Sequence, residues 1–141
     1  MVETFKYGKR HYYPHMKPGD ILIWERFIDR NPDAYDTCEY DFWVGSPPPF
    51  NPIVNEPTEG SADGLYRLKI DVVGHKDGRV DIIELKQNAT AASVGQVKEY
   101  TDLYTRDEKP AKRPQAVIIT NRTRQDLLDF AIKEEVRIFV V

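Results

Sequence analysis

Asp71, Glu84 and Lys86 are the residues whose types and spacing could do chemistry together. Between them lies Lys76-Asp77-Gly78-Arg79, a two-residue Asp-Gly turn flanked by apolar runs, the pattern of a β-hairpin. Counting outward pairs Lys76 with Arg79, His75 with Val80, Gly74 with Asp81, Val73 with Ile82 and Val72 with Ile83. Asp71 then meets Glu84, Ile70 meets Leu85, and Lys69 meets Lys86, a register that a bulge would shift. Side chains alternate between faces, so Leu68, Ile70, Val72, Ile83 and Leu85 share an apolar side. The other side carries Val73 and Ile82, then two opposed carboxylates, then two opposed ammonium groups.

Like charges set directly opposite on a sheet, with β-carbons roughly 5 Å apart, are destabilising. A divalent cation between Asp71 and Glu84 would remove that repulsion. Magnesium favours one or two carboxylates, completed by waters and phosphate oxygens. Such an ion can polarise a phosphate and activate a water, with Lys86 beside it. An exposed hairpin face, its charges splayed into water and paired diagonally, is the other way to satisfy these residues.

The elements that must position this hairpin follow from pattern. Residues 1–19 read as an extended arm, basic and aromatic residues interleaved, with Pro14 and Pro18 resisting helix. A helix starts near Asp20, an N-cap or first-turn acid, and stops at Asn31-Pro32. Its apolar face is Ile21, Trp24 and Ile28, with Leu22 and Phe27 alongside. Residues 35–44 alternate as a strand. Residues 46–64 hold five prolines and form a long loop. Strands are expected at 65–73 and 80–86, a helix at 91–104 capped near Asn88 or Thr90, a strand at 116–120, a helix at 123–133 and a last strand at 136–141. The order is α-β-β-β-α-β-α-β in one domain, residues 1–141.

Composition bounds the class. The chain is 141 residues, 40% hydrophobic, enough for one real core. No apolar run suits a membrane span or a signal peptide, and the lone Cys38 allows no internal disulfide, so a cytoplasmic setting or a particle assembled there is expected. Net charge is −3, which excludes a bulk basic nucleic-acid binder. The charge is uneven. Residues 1–19 hold four Lys/Arg against one acid (+3), residues 20–64 two against ten (−8), and residues 65–141 fourteen against twelve (+2). Phosphate contacts should come from the arm or the second half. Arg67 and Lys69 share the face of Asp71. The histidines His11, His15 and His75 show no metal-ligand spacing, and surface roles are expected for them. Trp24 and Trp43 read as core.

Asp71, twelve intervening residues, then Glu84-Leu85-Lys86 resembles the PD-(D/E)XK nuclease superfamily. The apolar lead-in Ile82-Ile83 fits, and Gln96-Val97-Lys98-Glu99-Tyr100 looks like the QxxxY motif of the RecB-type branch. Gln96 and Tyr100, four apart, face one side of a helix. Ile70-Asp71 stands where the family's name has Pro-Asp. The resemblance covers roughly residues 20–120. It implies an α/β, restriction-endonuclease-like α-β-β-β-α-β core, a mixed central sheet flanked by helices, with a further α-β at the C-terminus. It implies Asp71, Glu84 and the Leu85 backbone carbonyl as metal ligands, Lys86 as catalytic lysine, and Gln96 and Tyr100 near the site. Glu25 best matches, by position, the acid that family members often carry on the first helix.

The expected function is therefore a Mg²⁺- or Mn²⁺-dependent nuclease hydrolysing DNA phosphodiester bonds, structure-selective or nonspecific, suited to a phage or mobile element. Expected partners are DNA and a homo-oligomer or a virion or DNA-processing complex, with no membrane. The other expectation is a non-catalytic structural or assembly protein, for example of a phage particle, that keeps the nuclease fold.

Overall fold

In the computed structural model, which describes residues 2–45 and 68–141, six strands form one mixed sheet in simple sequence order. The strands are β1 (Thr4–Lys6), β2 (Thr37–Val44), β3 (Leu68–Lys76), β4 (Arg79–Lys86), β5 (Gln115–Thr120) and β6 (Val136–Val140). β1 to β4 are antiparallel neighbours, while β4, β5 and β6 run parallel. The helices are α1 (Pro18–Arg30), α2 (Ala91–Glu108) and α3 (Gln125–Lys133). α2 and α3 are the crossovers that parallel pairing requires. The proline-rich stretch 46–64, and Arg67 with it, lie outside the described residues.

α1 packs on one face of the sheet and α2 with α3 on the other. Pro18 opens α1 at a position where its fixed φ suits a first turn. The helix therefore starts two residues before the expected Asp20, which sits in the first turn. Its buried stripe is Ile23, Trp24, Phe27 and Ile28, while Leu22 is exposed. Asn31 ends it, its N–H and side-chain amide both donating to the Phe27 carbonyl. α2 begins at Thr90, whose N–H donates to Ser93 Oγ at 3.1 Å, and runs one turn past the expected Tyr104. Left-handed Lys109 ends it ahead of Pro110. α3 starts at Gln125, two residues later than expected, and buries only Leu127 and Ala131, leaving Phe130 and Ile132 exposed.

The arm is not free. Thr4–Lys6 adds β1 to the sheet edge, an element not expected from the sequence. Tyr7 and Tyr13 then enter the core on the α1 side. Tyr7 donates to the Asn31 carbonyl at 2.6 Å, and Tyr13 donates to Glu25 Oε2 at 2.8 Å. Lys9 pairs with Asp29 at 2.8 Å.

The hairpin register holds from Lys76↔Arg79 to Val72↔Ile83, and the turn residues Asp77 and Gly78 both have positive φ, as a tight hairpin turn needs. There the ladder stops. Ile70 does not pair with Leu85, nor Lys69 with Lys86, while on its other edge β3 stays paired with β2 through Trp43↔Lys69 and Val44↔Leu68. The cause is a change of layer. On β2, Cys38 and Tyr40 belong to the α1 layer but Phe42 and Val44 to the α2 layer. On β3, Val72 belongs to the first and Ile70 to the second. A regular strand would keep each set on one face. The switch falls at Asp41, whose φ is +54°, and Asp71, which lie between the pairs Tyr40↔Val72 and Phe42↔Ile70. β2 and β3 turn together and leave β4.

Gly74 shows how tightly β3 is packed. A β-carbon there would stand 2.7 Å from the Tyr35 ring. That ring cannot retreat easily, because its hydroxyl donates to buried Asp81 at 2.8 Å. Gly74→Ala should lower stability by about 1–3 kcal/mol through overpacking, measured by urea unfolding. An unchanged midpoint would show that Tyr35 moves freely.

Candidate active site

The parting of β3 from β4 leaves two carboxylates at the end of the hairpin, and each is held by the other strand's backbone. The Asp71 N–H donates to Glu84 Oε1 at 3.2 Å, and the Leu85 N–H donates to Asp71 Oδ2 at 2.9 Å. The expected direct opposition of Asp71 and Glu84 thus becomes a reciprocal side chain-to-backbone lock. Glu84 is buried and Asp71 half-buried. They sit at the carboxyl end of parallel β4, the position where α/β sheets commonly hold ligands.

Around them is a cavity of about 200 Å³. Asp20, Lys69, Asp71, Glu84, Leu85, Lys86, Gln96 and Tyr100 line it, with Asp41 and Pro14–Lys17 of the arm. Six of the expected site residues in the hairpin and α2 therefore converge, together with Lys69. Gln96 Nε2 donates to the Tyr100 hydroxyl at 2.8 Å, so the two residues four apart act as one unit.

Glu25 does not join them. It accepts the Tyr13 hydroxyl instead, and the α1 acid at the cavity is Asp20. Helical phase explains the difference. Asp20 stands three and four residues before Ile23 and Trp24, on the buried stripe, whereas Glu25 is one step around from Trp24. The stripe Ile23-Trp24-Phe27-Ile28 extended back one turn was the signal available in the sequence. Asp41 and His15 also line the cavity, and no sequence signal marked them. His75 is half-buried and hydrogen-bonded to Glu39 rather than facing solvent. Trp43 is 39% exposed rather than core.

The electrostatics are those of enclosed carboxylates. Burial pushes Asp71 up to about 6 from 3.8, against the pull of the Leu85 N–H, with Asp20 pushing further up. Burial raises Glu84 well above its usual range, and the neighbouring Asp71 adds to this. Burial also raises Asp20, with Lys17 and Lys86 opposing. Both causes are ordinary: desolvation and like charge each disfavour the ionised carboxylate.

The donor set is hard oxygen, which suits magnesium, manganese or calcium rather than a softer metal. Among the described residues, no three His, Cys, Asp or Glu side chains group closely enough to cage an ion. Two carboxylates leave most of a coordination shell to water and substrate, the arrangement magnesium tolerates best. The residues present therefore fit a divalent ion held by Asp71 and Glu84.

Comparison with known proteins adds the fold. In structure the chain is similar to a repair endonuclease from Pyrococcus abyssi, at 18% identity and a TM-score of 0.51. The likeness is one of fold: a mixed sheet flanked by helices, consistent with the expected restriction-endonuclease-like core. The match covers 94% of this chain but 49% of that one, so this chain spans about half the neighbour's length. No protein-family model and no curated protein sequence matches it. No helix among the described residues is long and apolar enough to cross a membrane.

A pH prediction follows from the raised carboxylates. Asp71 holds its proton more tightly folded (about 6) than unfolded (3.8), and Glu84 shifts the same way. Their contribution to stability is therefore fully present below about pH 4 and is lost as pH rises through 6 and beyond. At pH 8 the metal-free parent should be less stable than Asp71→Asn by about 3 kcal/mol, and melt correspondingly lower, since the rise from 3.8 to about 6 costs about 1.4 kcal/mol per pH unit. Differential scanning fluorimetry reads this, and equal melting of parent and variant at pH 8 would exclude the strain.

Proposed function

We propose that this chain is a divalent-metal-dependent nuclease that hydrolyses DNA phosphodiester bonds, with Mg²⁺ or Mn²⁺ as its cofactor. The observation carrying the reading is the lock itself: two enclosed carboxylates with raised proton affinity, held a hydrogen bond from each other's backbone, with Lys86 in the same cavity. A purely structural hairpin would not need that pair inside. The neighbour's printed name, a repair endonuclease, points the same way.

Asp71 and Glu84 would hold the ion, with the Leu85 carbonyl as a further ligand. Bound there, the ion supplies charge neutralisation, polarisation of a phosphate oxygen and acidification of a water. The chain's own groups do the rest. Lys86, two residues beyond Glu84, faces the same cavity and offers an ammonium to the charge that builds on the phosphate or to the attacking water. Gln96 and Tyr100, hydrogen-bonded to each other, line the cavity from α2. Lys17 and Lys69 on the rim suit phosphates flanking the cut, contacts that position a strand without reading its sequence. Contacts of that kind favour structure-selective or nonspecific cutting.

The rival reading is a structural protein retaining the fold, with the arm and the proline-rich loop as assembly elements. Tyr7 and Tyr13 tie the arm to its own domain, which favours that use of it less. The loop lies outside the described residues.

The direct test is plasmid nicking with Mg²⁺ or Mn²⁺ and without. Asp71→Ala and Lys86→Ala should each lose on the order of 10²-fold or more, as removal of a charge-stabilising group at a reacting centre does. Retained cutting by either variant would sink the site assignment.

A second test separates the two α1 acids. Asp20→Asn should weaken the melting-temperature gain from added Mn²⁺ and lower cutting, while Glu25→Gln should change neither by more than about twofold. The reverse order would restore Glu25 to the site.

A further inference from the structure

Beside the cavity of Asp71 and Glu84 lies a larger groove of about 700 Å³. Pro14, His15 and Asp41 line both spaces. Trp43 lines the groove and is 39% exposed, whereas Trp24 is 0% exposed. Lys69 lines the cavity and is Trp43's cross-strand partner. Its ammonium stands over the indole, 5.4 Å from the ring centroid, and 3.9 Å from Asp41 Oδ2. One Lys–Trp pair thus bridges the two spaces, anchored at the point where β2 changes layer.

We propose that Trp43 and Lys69 form a subsite for a single unpaired nucleotide beside the scissile phosphate, making the chain selective for DNA with a single-stranded segment at the cut. The position of the cut rests on the nuclease reading above. An indole face takes a base by stacking, worth roughly tenfold in affinity or more. Bases inside a continuous duplex already stack on both sides, so only an unpaired one is available to Trp43. Charge sorts the two halves of the nucleotide. Glu3, Glu39, Asp41 and Glu108 line the groove. They repel phosphate but accept hydrogen bonds from exocyclic amino groups, as carboxylates do from cytosine N4. The phosphate stays with Lys69 at the cavity, and the base enters the groove. The volume lies within the usual range of small-ligand pockets.

The test uses metal-free protein, which binds without cutting, and two probes: a short single-stranded oligo-dC and a blunt duplex of equal length. Oligo-dC should quench tryptophan fluorescence saturably, since Trp43 is accessible and Trp24 is not, and should bind more tightly than the duplex. Trp43→Ala should abolish the quench and weaken oligo-dC binding roughly tenfold by fluorescence anisotropy, with an unchanged circular dichroism spectrum. Lys69→Gln should lower the slope of log affinity against log salt by roughly 0.7, the loss of one phosphate contact on a single strand. Equal binding of both probes by the parent, or unchanged oligo-dC binding by Trp43→Ala, would overturn the subsite. Failure of the nuclease reading is visible separately: no cutting with Mg²⁺ or Mn²⁺ while quench and selectivity persist leaves the subsite standing and removes the enzyme.

Discussion

Two carboxylates enclosed at the end of a hairpin are the constraint around which the rest of this fold is arranged. Desolvation and mutual repulsion both oppose them. The reciprocal bonds from the Asp71 and Leu85 N–H groups hold them in place. Those donors are available only because β3 leaves β4 after Val72↔Ile83. A ladder continued in register would pair the backbone groups with each other and turn both acids into an ordinary like-charge cross-strand pair. The parting in turn needs β2 to move with β3, which it does through Asp41, and needs apolar residues ready on both faces. Phe42, Val44 and Ile70 meet Tyr104 and α2 on one side, while Tyr40 and Val72 meet Trp24 on the other. The site is thus a consequence of where the sheet changes layer.

How much of this was legible in the sequence depends on the range of the interaction that decides it. The Asp77-Gly78 turn is local, and it fixes the ladder for five pairs by counting alone. The end of that ladder is not local: it is decided by pairing with β2, some thirty residues earlier in the chain, and alternation within the hairpin carries no trace of it. The pattern Leu68, Ile70, Val72 reads as one apolar face, yet two of the three belong to different layers. The motif residues survive this because Asp71 and Glu84 lie at the point of parting and not beyond it. Lys69 does not oppose Lys86, but it still lines the cavity.

The first helix was misread for a smaller reason. Trp24, Phe27 and Ile28 are buried as expected and Ile21 packs against the same core, but Ile23 was left off the stripe. Glu25 was chosen for its place beside Trp24, whereas the acid that lines the cavity, Asp20, lies one turn before that residue. The arm's aromatics were ambiguous, because Tyr and Phe suit both a core and an exposed surface. The partners of Tyr7 and Tyr13, namely Asn31 and Glu25, lie in a different element, and nothing near them in sequence announces the contact.

The acidic middle of the chain bears on the same question, since a net charge of −8 over residues 20–64 argues against a polyanionic substrate. The structure shows where those charges go. Asp29 pairs with Lys9, Asp36 with Lys76, Glu39 with His75, and Asp41 with Lys69. Glu25 takes the Tyr13 hydroxyl, and Asp20 lines the cavity with Asp71 and Glu84. Most described acids of the block are thus engaged inside the molecule or at the site, where a cation would offset them. Coulomb interactions between exposed charges fade over about 8–10 Å in physiological salt. What a phosphate meets is therefore set by the groups within that distance. At the cavity these are Lys17, Lys69 and Lys86, set against Asp20, Asp41, Asp71 and Glu84, whose charge a bound ion would offset. The sum over the chain says little about it.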